Sequence, residues 1–254
     1  MITNDSTIGL MSDVNANTAK TIILEEITIS TATPELPSPL LTASGKLTNA
    51  ALVLVKIRSK CGIEGHSYLF SPNAKLLTAL ASAVSVAFEE VKGRSCSPET
   101  NTDYLLDKFK LFGGTGILTM AFAAIDMASW DLLGNALGKP LYRLWGGANT
   151  TIPSYESSGL SIGSFGQVLD QAKTFLNNGN TRMKVRLGYE TVTEEVMLLS
   201  RLKDELGNNI KLMVDYNQGL NLEQARAAAF LLTDDSSYIT GQSIRSDGGV
   251  TRGI

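Results

Sequence analysis

The sequence predicts a mixed α+β region followed by a parallel α/β region that contains about three βα units. Two observations carry this prediction. Runs of β-branched and aliphatic residues come early and precede long helical patterns, whereas strand and helix patterns alternate from residue 152 onward. A chain of 254 residues, 43% hydrophobic and 19% charged, is long enough for one large domain or two smaller ones.

The first half predicts three strands and three helices. Residues 22–30 and 50–58 are rich in β-branched residues and predict two strands, which the Pro- and Ser-bearing segment 31–49 connects as a long exposed loop. Residues 63–70 follow a turn and predict a hairpin partner for the second strand. Helices are predicted over residues 73–92, 99–111 and 117–137.

The second half alternates between the two kinds of pattern. Strands are predicted over residues 152–157, 181–187 and 210–216, and helices over residues 165–177, 192–206 and from 221 onward. Such alternation is typical of a parallel sheet built from βα units.

Composition excludes several classes of protein. The net charge is -3 and the 22 basic residues are spread along the chain, so no basic stripe for nucleic acid is expected. Cys61 and Cys96 lie far apart, in neither a disulfide framework nor metal-ligand spacing, which favours a cytoplasmic location. Residues 1–20 predict a flexible tail without a signal peptide, and no uncharged stretch of membrane-spanning length follows.

One long motif carries a resemblance to a known family. The run AFAAIDMASWDLLGNALGKPLYRLWGG, residues 121–147, resembles the signature helix and loop of the mandelate racemase and muconate lactonizing enzyme family of the enolase superfamily. GIEGHSYLF, IPSYESSG, MKVRLGY and LMVDYNQGL follow the order of that family. The resemblance implies an α+β capping domain over residues 21–148. It also implies a truncated (β/α) TIM-type barrel with about three βα units over residues 149–227.

The resemblance also implies an activity. Enzymes similar to this chain use Mg²⁺ to stabilise the enediolate that forms when a base removes the proton α to a carboxylate. A racemase or acid-sugar dehydratase is therefore expected, with a small carboxylate substrate such as a hydroxy acid or acid sugar. The resemblance further implies a homo-oligomer or association with a homologue.

Strand alternation indicates where the reactive side chains lie. Lys184 and Arg186 share one face of a predicted strand, and Asp215 and Asn217 lie together at the carboxyl end of the next, where barrel enzymes place catalytic groups. By resemblance, Asp215 is a metal ligand and Lys184 polarises the substrate carboxylate. Arg186 occupies the usual position of a lysine base, although a guanidinium stays protonated and is a poor base.

The resemblance assigns substrate contacts to three further residues. Ser157 would hydrogen-bond substrate at the end of the first barrel strand, Asn217 would lie beside the substrate, and Tyr68 would lie in the capping loops that shape the pocket.

Each assignment has a structural alternative. Asp215 alone could cap a turn or helix, and Lys184 with Arg186 could form a solvated sheet edge. Tyr68 could be a core aromatic residue. The single histidine, His66, is expected to be a partly buried structural residue. Asp126 and Asp131 are expected to be packing or capping groups, because five residues along a helix place them on different faces.

The chain departs from the family in its last part. The residues after 152 are too few for a complete barrel of roughly 250 residues, so an impaired active site is expected. Residues 228–254 resemble the C-terminal end of short-chain dehydrogenases, which predicts a chimera. Tyr104 and Lys108 have the spacing of a dehydrogenase pair, and Gly113 to Gly116 imitate a phosphate loop, but both are interpreted as coincidence.

Two functions other than an enzyme of this family stay open at this point. One is a non-catalytic interaction subunit, and the other is a relic of an NAD(P)-dependent short-chain dehydrogenase.

Overall fold

The computed structural model describes residues 22–148, 151–207, 209–222 and 225, which divide between two compact units. Unit 1 comprises Met1–Glu35 and Ala50–Thr150, and unit 2 comprises Leu36–Asn49 and Thr151–Ile254. The predicted domains were continuous in sequence, whereas unit 2 also contains a segment from the first half of the chain. The predicted tails over residues 1–20 and 228–254 lie outside the described residues.

The described residues form seven strands and six α-helices, with two short 3-10 turns. In chain order these elements are β1 (Leu24–Ala32), β2 (Glu35–Thr42), β3 (Gly45–Asn49), β4 (Ala51–Ser59), β5 (Glu64–Ser71), α1 (Leu77–Val91), α2 (Pro98–Lys108), α3 (Ile117–Leu137), α4 (Leu141–Leu144), α5 (Phe165–Asn177), β6 (Arg182–Arg186), α6 (Val192–Leu206) and β7 (Lys211–Asp215). The 3-10 turns are Ala74–Leu76 and Lys110–Phe112.

Unit 1 is an antiparallel sheet covered on one face by helices. The strand order is β1-β4-β5, and the β4–β5 hairpin confirms the pairing predicted from the sequence. Along β4 every second residue is buried, as a half-buried strand requires, and the buried set is Ala51, Val53, Val55, Ile57 and Ser59. The four apolar side chains of this set share one hydrophobic core with α1, α2 and α3.

Helix α3 lies at the centre of unit 1, against α1, α2 and β5. Its bounds confirm the helix predicted over residues 117–137, and its buried residues include Ala121, Ala124, Ile125, Ala128 and Leu132. At Gly65 in β5 a Cβ atom would lie 2.1 Å from the Ala128 carbonyl oxygen, so only glycine allows this strand to approach α3 so closely. The helix ends at Gly138, whose φ of 59° is left-handed.

Among the described residues, α3 is the one helix whose length and apolar composition would suit a membrane span. Half of its most apolar window is buried inside the protein. Since a core helix passes the same test, its burial in the core of unit 1 accounts for its composition.

Unit 2 is built on two parallel strands, β6 and β7, paired in a register that sets Arg186 opposite Asp215. Met183, Val185 and Leu187 are buried in a core shared with α5 and α6. Both helices begin with a capping box, from Ser164 to Gln167 and from Thr191 to Glu194. The parallel pairing confirms the prediction that this region is a parallel α/β structure.

The strand predicted over residues 152–157 is wrong. Within that range only Glu156 pairs with β6, through a bridge to Met183 and hydrogen bonds of 2.8 and 2.9 Å to Arg182 and Lys184. The chain returns to β6 at Leu160, whose carbonyl oxygen accepts from the Arg186 amide at 2.9 Å. Leu160 has a φ of 51°, a left-handed conformation that a continuous strand does not allow.

The long exposed loop predicted over residues 31–49 is also wrong, because this segment contains the β2–β3 hairpin. Pro37 and Pro39 suggested a loop, since proline cannot donate a ladder hydrogen bond. They are two residues apart, so both nitrogens lie on the same side of a strand, and a two-stranded ribbon leaves one side of each strand unpaired. We call β2, β3 and the turn between them the arm.

Candidate active site

The carboxyl ends of β6 and β7 bring together a cation and a carboxylate. The Lys184 Nζ atom lies 2.9 Å from Asp215 Oδ2, and the two side chains are only 18% and 9% exposed. Strand alternation places Lys184 and Arg186 opposite the apolar side chains of β6, as predicted. The structure therefore brings two of the predicted site residues into direct contact.

Arg186 completes a buried charged cluster with these two residues. Its side chain is 7% exposed, and the guanidinium donates to the carbonyl oxygens of Gly159 and Ser157, the latter at 3.2 Å. Burial lowers the pKa of Arg186, and the nearby charge of Asp215 opposes that shift. A guanidinium nevertheless stays protonated, so Arg186 supplies fixed positive charge and no base.

Asp215 keeps its negative charge although it is buried. Burial acts to raise the pKa of this carboxyl group, but the backbone amide of Asn217, the ammonium of Lys184 and the charge of Arg186 together hold it below its usual value. The Asn217 amide donates to Asp215 Oδ1 at 2.9 Å. Asp215 thus faces the site as a carboxylate at neutral pH.

A strained turn follows Asp215. Asn217 and Gln218 have positive φ values of 45° and 60°, a conformation that few non-glycine residues adopt. Asparagine tolerates it better than most residues. Within the part of the chain that the structure describes, the buried Oδ1 atom of Asn217 has no hydrogen-bond partner. The turn therefore presents an unpaired acceptor beside Asp215.

The tip of the arm lies on this turn. The Ser44 hydroxyl donates to the carbonyl oxygen of Asn217, and the Ile162 amide donates to the carbonyl oxygen of Leu41 at 3.2 Å. Cβ atoms built at Gly188 and Gly219 would lie 2.5 and 2.6 Å from the Ala43 Cβ atom. The arm thus contacts the segments that follow β6 and β7.

Ser157 lies at the edge of the charged cluster. Its carbonyl oxygen accepts from Arg186 Nη2, and its amide donates to the Glu156 carboxylate at 2.9 Å. Hydrogen bonds from Ser158 and from the Ser157 amide lower the pKa of Glu156. The Ser157 backbone therefore contacts Arg186, although Ser157 follows a single bridge and not a strand. Its hydrogen bond to substrate stays a prediction.

Tyr68 does not lie in a loop, and that part of its prediction is wrong. It lies in β5, paired with Leu54 of β4, and it is 63% exposed on the sheet face away from the helices of unit 1. Its exposure also excludes the alternative that it is a core aromatic residue.

The remaining titratable candidates of unit 1 make structural contacts. His66 is exposed and not partly buried as expected, and its backbone amide donates to Asp131 at 2.8 Å. Thr102 donates to Asp126 at 3.1 Å. Tyr104 and Lys108 both contact the Glu90 carboxylate, at 3.4 and 3.2 Å.

Sequence reasoning missed a buried carboxylate next to the charged cluster. Glu195, in the first turn of α6, is 4% exposed and accepts hydrogen bonds from Gly188, Tyr189 and Tyr216. Its only local signal is its place at a helix N-terminus, which is also common for solvent-exposed acidic residues. Its burial depends on the packing of two strand ends that are far apart in sequence.

The described residues offer one good ligand for a divalent cation. Mg²⁺ prefers oxygen ligands and commonly takes one or two carboxylates, with water or substrate oxygens completing an octahedron. Asp215 provides a carboxylate, and the unpaired Asn217 Oδ1 is a second oxygen beside it. No group of three or more His, Cys, Asp or Glu side chains that could hold a metal occurs within residues 22–148, 151–207 and 209–222. The donor set is thus compatible with Mg²⁺ but incomplete.

Comparison with protein families identifies both halves of the chain. The family model for the mandelate racemase / muconate lactonizing enzyme N-terminal domain matches residues 25–146. The model described as enolase C-terminal domain-like matches residues 167–239. The second match extends into the segment whose sequence resembles short-chain dehydrogenases, so the dehydrogenase origin of that segment stays a prediction.

Individual relatives agree with the family models. The L-talarate/galactarate dehydratase of Salmonella typhimurium is 29% identical over 196 residues, which are 76% of this chain and 49% of the dehydratase. The 3,6-anhydro-alpha-L-galactonate cycloisomerase of Streptomyces coelicolor is 27% identical, over 80% of this chain and 57% of that enzyme. The chain therefore spans about half the length of these curated relatives.

A solved structure shows the same fold. An enolase from Bradyrhizobium, crystallised with magnesium and mandelic acid, superposes with a TM-score of 0.74 at 30% sequence identity. The match covers 83% of this chain and 59% of the Bradyrhizobium chain.

Proposed function

Because the chain belongs to the mandelate racemase / muconate lactonizing enzyme family of the enolase superfamily, we propose that it contributes to a Mg²⁺-dependent site that removes the proton α to a carboxylate. The substrate would be a small hydroxy acid or acid sugar, as the names of the talarate/galactarate dehydratase and of the mandelic acid complex suggest. The reaction would be a racemisation or a dehydration, since both can follow from the same enediolate.

The observation that carries this proposal is the buried cluster of Lys184, Arg186 and Asp215. Removing charged groups from water costs several kcal/mol for each ion, and an apolar replacement is often as stable or more stable. Buried charges with shifted pKa values therefore concentrate at functional sites. Here Arg186 and Asp215, whose pKa values are shifted, lie at the carboxyl ends of two parallel strands, where barrel enzymes place their reactive groups.

Each member of the cluster has a separate part in the proposal. Asp215 would hold Mg²⁺, with Asn217 Oδ1 beside it, and the bound ion would supply positive charge for the developing enediolate. Lys184 would bind the substrate carboxylate with its ammonium group. Arg186, fixed by the carbonyl oxygens of Ser157 and Gly159, would hold positive charge next to the same carboxylate. Ser157 would contact the substrate.

The proton acceptor is a different group from these. Arg186 cannot lose its proton at physiological pH, and the Lys184 ammonium donates to Asp215. We therefore assign binding and charge stabilisation to this cluster. The base and the remaining metal ligands would come from residues other than those that the structure describes.

The test is exchange of the α proton with solvent. The purified chain is incubated in D₂O with Mg²⁺ and with galactarate, glucarate or mandelate, and loss of the α-proton signal is followed by NMR. We expect slow Mg²⁺-dependent exchange in the wild type, since the sequence predicts an impaired site, and a further decrease of roughly 100-fold in Asp215→Asn, because the cation loses its carboxylate. Asp170→Asn, an exposed change in α5, should leave the rate unchanged.

Two results would contradict the proposal. One is the absence of exchange with every substrate in the presence of Mg²⁺. The other is exchange that proceeds as fast in Asp215→Asn as in Asp170→Asn.

We further propose that the chain associates with itself or with a homologue. Leu54, Tyr68 and Phe70 are 40%, 63% and 44% exposed on one face of the unit 1 sheet. Exposed apolar patches commonly mark interaction surfaces. Light scattering after size-exclusion chromatography should give a mass above 27.2 kDa for the wild type, and the double change Tyr68→Ser and Phe70→Ser should reduce it. A monomeric wild type would exclude self-association.

A further inference from the structure

Glu195 is a buried carboxylate with three hydrogen-bond donors from two separate segments. Its Oε1 atom accepts from the backbone amides of Gly188 and Tyr189 at 2.8 and 3.1 Å. Its Oε2 atom accepts from the Tyr216 hydroxyl at 2.7 Å. Both carboxylate oxygens are therefore occupied, and the side chain is 4% exposed.

The charge of Glu195 is stabilised without a cationic partner. None of the ion pairs in the described part of the chain involves this residue. It lies instead in the first turn of α6, where the helix dipole favours negative charge. Hydrogen bonds from neutral donors to a buried carboxylate are worth more than those to a neutral acceptor. Burial of such a carboxylate costs desolvation energy, so its hydrogen bonds indicate a role beyond packing.

The position of its donors supplies that reason. Gly188 and Tyr189 come two and three residues after Arg186 in β6, and Tyr216 directly follows Asp215 in β7. One carboxylate thus bridges the backbone after one strand and a side chain after the other. The Tyr189 hydroxyl extends the connection, because it donates to the Gly163 carbonyl oxygen at 2.8 Å and accepts from the Gly163 amide at 3.1 Å.

We propose that Glu195 is a positioning residue, which keeps Lys184 and Arg186 in register with Asp215 by joining the segments that follow β6 and β7. Its catalytic part rests on the function proposed above for that cluster. Glu195 itself points to the loops and does not contact Lys184, Arg186 or Asp215 through any of its three hydrogen bonds. Loss of its carboxylate should therefore change the geometry of the cluster without removing a charge from it.

Three substitutions separate positioning from simple stabilisation. Glu195→Ala removes all three hydrogen bonds. Glu195→Gln keeps an oxygen for the two amides, and its NH₂ group can donate to the Tyr216 oxygen in place of accepting from it. Tyr216→Phe removes only the contact to β7. Glu205→Ala, at an exposed position near the other end of α6, is the matched control.

The experiment measures two properties of each folded variant. The first is Mg²⁺-dependent α-proton exchange, separated into kcat and KM. The second is amide hydrogen exchange, followed by mass spectrometry over residues 184–190 and 213–219. For Glu195→Ala we expect a kcat lower by roughly 10- to 100-fold, the range for residues that orient a ligand through hydrogen bonds. KM should change less, and amide exchange should accelerate in both segments.

The other variants make the result specific. Glu195→Gln should restore both measurements to within about 3-fold of the wild type, as the retained hydrogen bonds require. Tyr216→Phe should accelerate amide exchange over residues 213–219 only. An unchanged kcat in folded Glu195→Ala, or amide exchange that accelerates uniformly across unit 2, would overturn the proposal. If Glu195→Ala does not fold, Tyr216→Phe decides, and unchanged amide exchange in that variant counts against positioning.

Failure of the proposed function gives a different result. If the wild type shows no α-proton exchange, its kcat cannot be compared with that of the variants. Amide exchange can still be measured in every variant. Local acceleration in the two segments would then still support a positioning role for Glu195, and its absence would overturn that role.

Discussion

The two sheets of this protein use the same alternation of side chains for different purposes. In unit 1 the charged face of the sheet is exposed, and its pairs, Lys56 with Glu64 and Arg58 with Glu26, have side chains that are 38% to 54% exposed. In unit 2 the charged face of β6 and β7 is buried, and Arg186 and Asp215 are 7% and 9% exposed. The apolar faces of both sheets pack against helices.

This difference indicates which charges are needed for function. Exposed ion pairs contribute little to stability and can be exchanged at small cost. Buried ones cost desolvation energy, and removal of one partner leaves the other unpaired. The same pattern of polar residues on alternate strand positions thus forms exposed, replaceable ion pairs in unit 1 and a candidate site in unit 2.

The largest expected effect lies on the apolar face of unit 1. In Gly65→Ala the new Cβ atom would lie 2.1 and 2.4 Å from backbone atoms of Ala128 and Leu132, which cannot move without shifting α3. We expect a loss of about 3 kcal/mol in the free energy of unfolding. Chemical denaturation measures it. Gly114→Ala is the control, because no atom lies within 4 Å of its Cβ position. Equal effects of the two changes would show that the close approach to α3 does not limit packing.

The next prediction compares the charged face of the unit 1 sheet with that of β6 and β7. Asp215→Ala leaves Lys184 and Arg186 without their carboxylate, which should cost about 2 kcal/mol, less than for a fully buried pair because Lys184 is 18% exposed. Arg58→Ala removes an exposed ion pair of unit 1 and should have no measurable effect on urea denaturation. Similar losses for the two variants, or a stabilised Asp215→Ala protein, would remove the distinction drawn between the sheets.

The smallest effect concerns the helix that underlies the unit 1 sheet. Burial raises the pKa of Asp126, while the Thr102 hydroxyl partly opposes the shift. Because the folded protein holds this proton more tightly, the contribution of Asp126 to stability falls as the pH rises through the window above its unfolded pKa. Asp126→Asn should therefore stabilise the protein by roughly 0.5 kcal/mol at pH 7, after allowance for solvent screening.

The same variant predicts a pH dependence. Near pH 3 the carboxyl group is protonated in both states, so Asp126→Asn and the wild type should unfold at the same urea concentration. Asp107→Asn, in an exposed ion pair with Lys110, should show neither effect. A stabilisation by Asp126→Asn that is equal at both pH values would contradict the assigned cause.

Much of the candidate site could be predicted because it depends on local periodicity. Alternation along β6 placed Lys184 and Arg186 on one face, and the end of β7 placed Asp215 and Asn217 together. The resemblance to a known family then indicated which of these groups to expect near a metal. Neither the alternation nor the resemblance predicted the burial of Arg186. Its burial depends on the carbonyl oxygens of residues 157 and 159, which lie in a segment outside the strands.

The errors have physical causes that a single sequence conceals. Prolines two residues apart are compatible with an edge strand as well as with a loop, so Pro37 and Pro39 could not decide the structure of the arm. The alternation of strand and helix patterns suggested a strand over residues 152–157, but only Glu156 pairs with β6. Glu195 was missed because its three donors converge only after two strand ends have packed.

The contact of Ala43 with Gly188 and Gly219 has a consequence for recombining this protein with its relatives. A Cβ atom at either glycine would clash with the Ala43 side chain. Gly188 is restricted a second time by its φ of 127°, which residues with a side chain rarely adopt. An arm transplanted from another family member would contact these two positions, which lie 145 and 176 residues after Ala43 in the chain. Libraries that exchange residues 35–49 should therefore vary positions 188 and 219 in the same block.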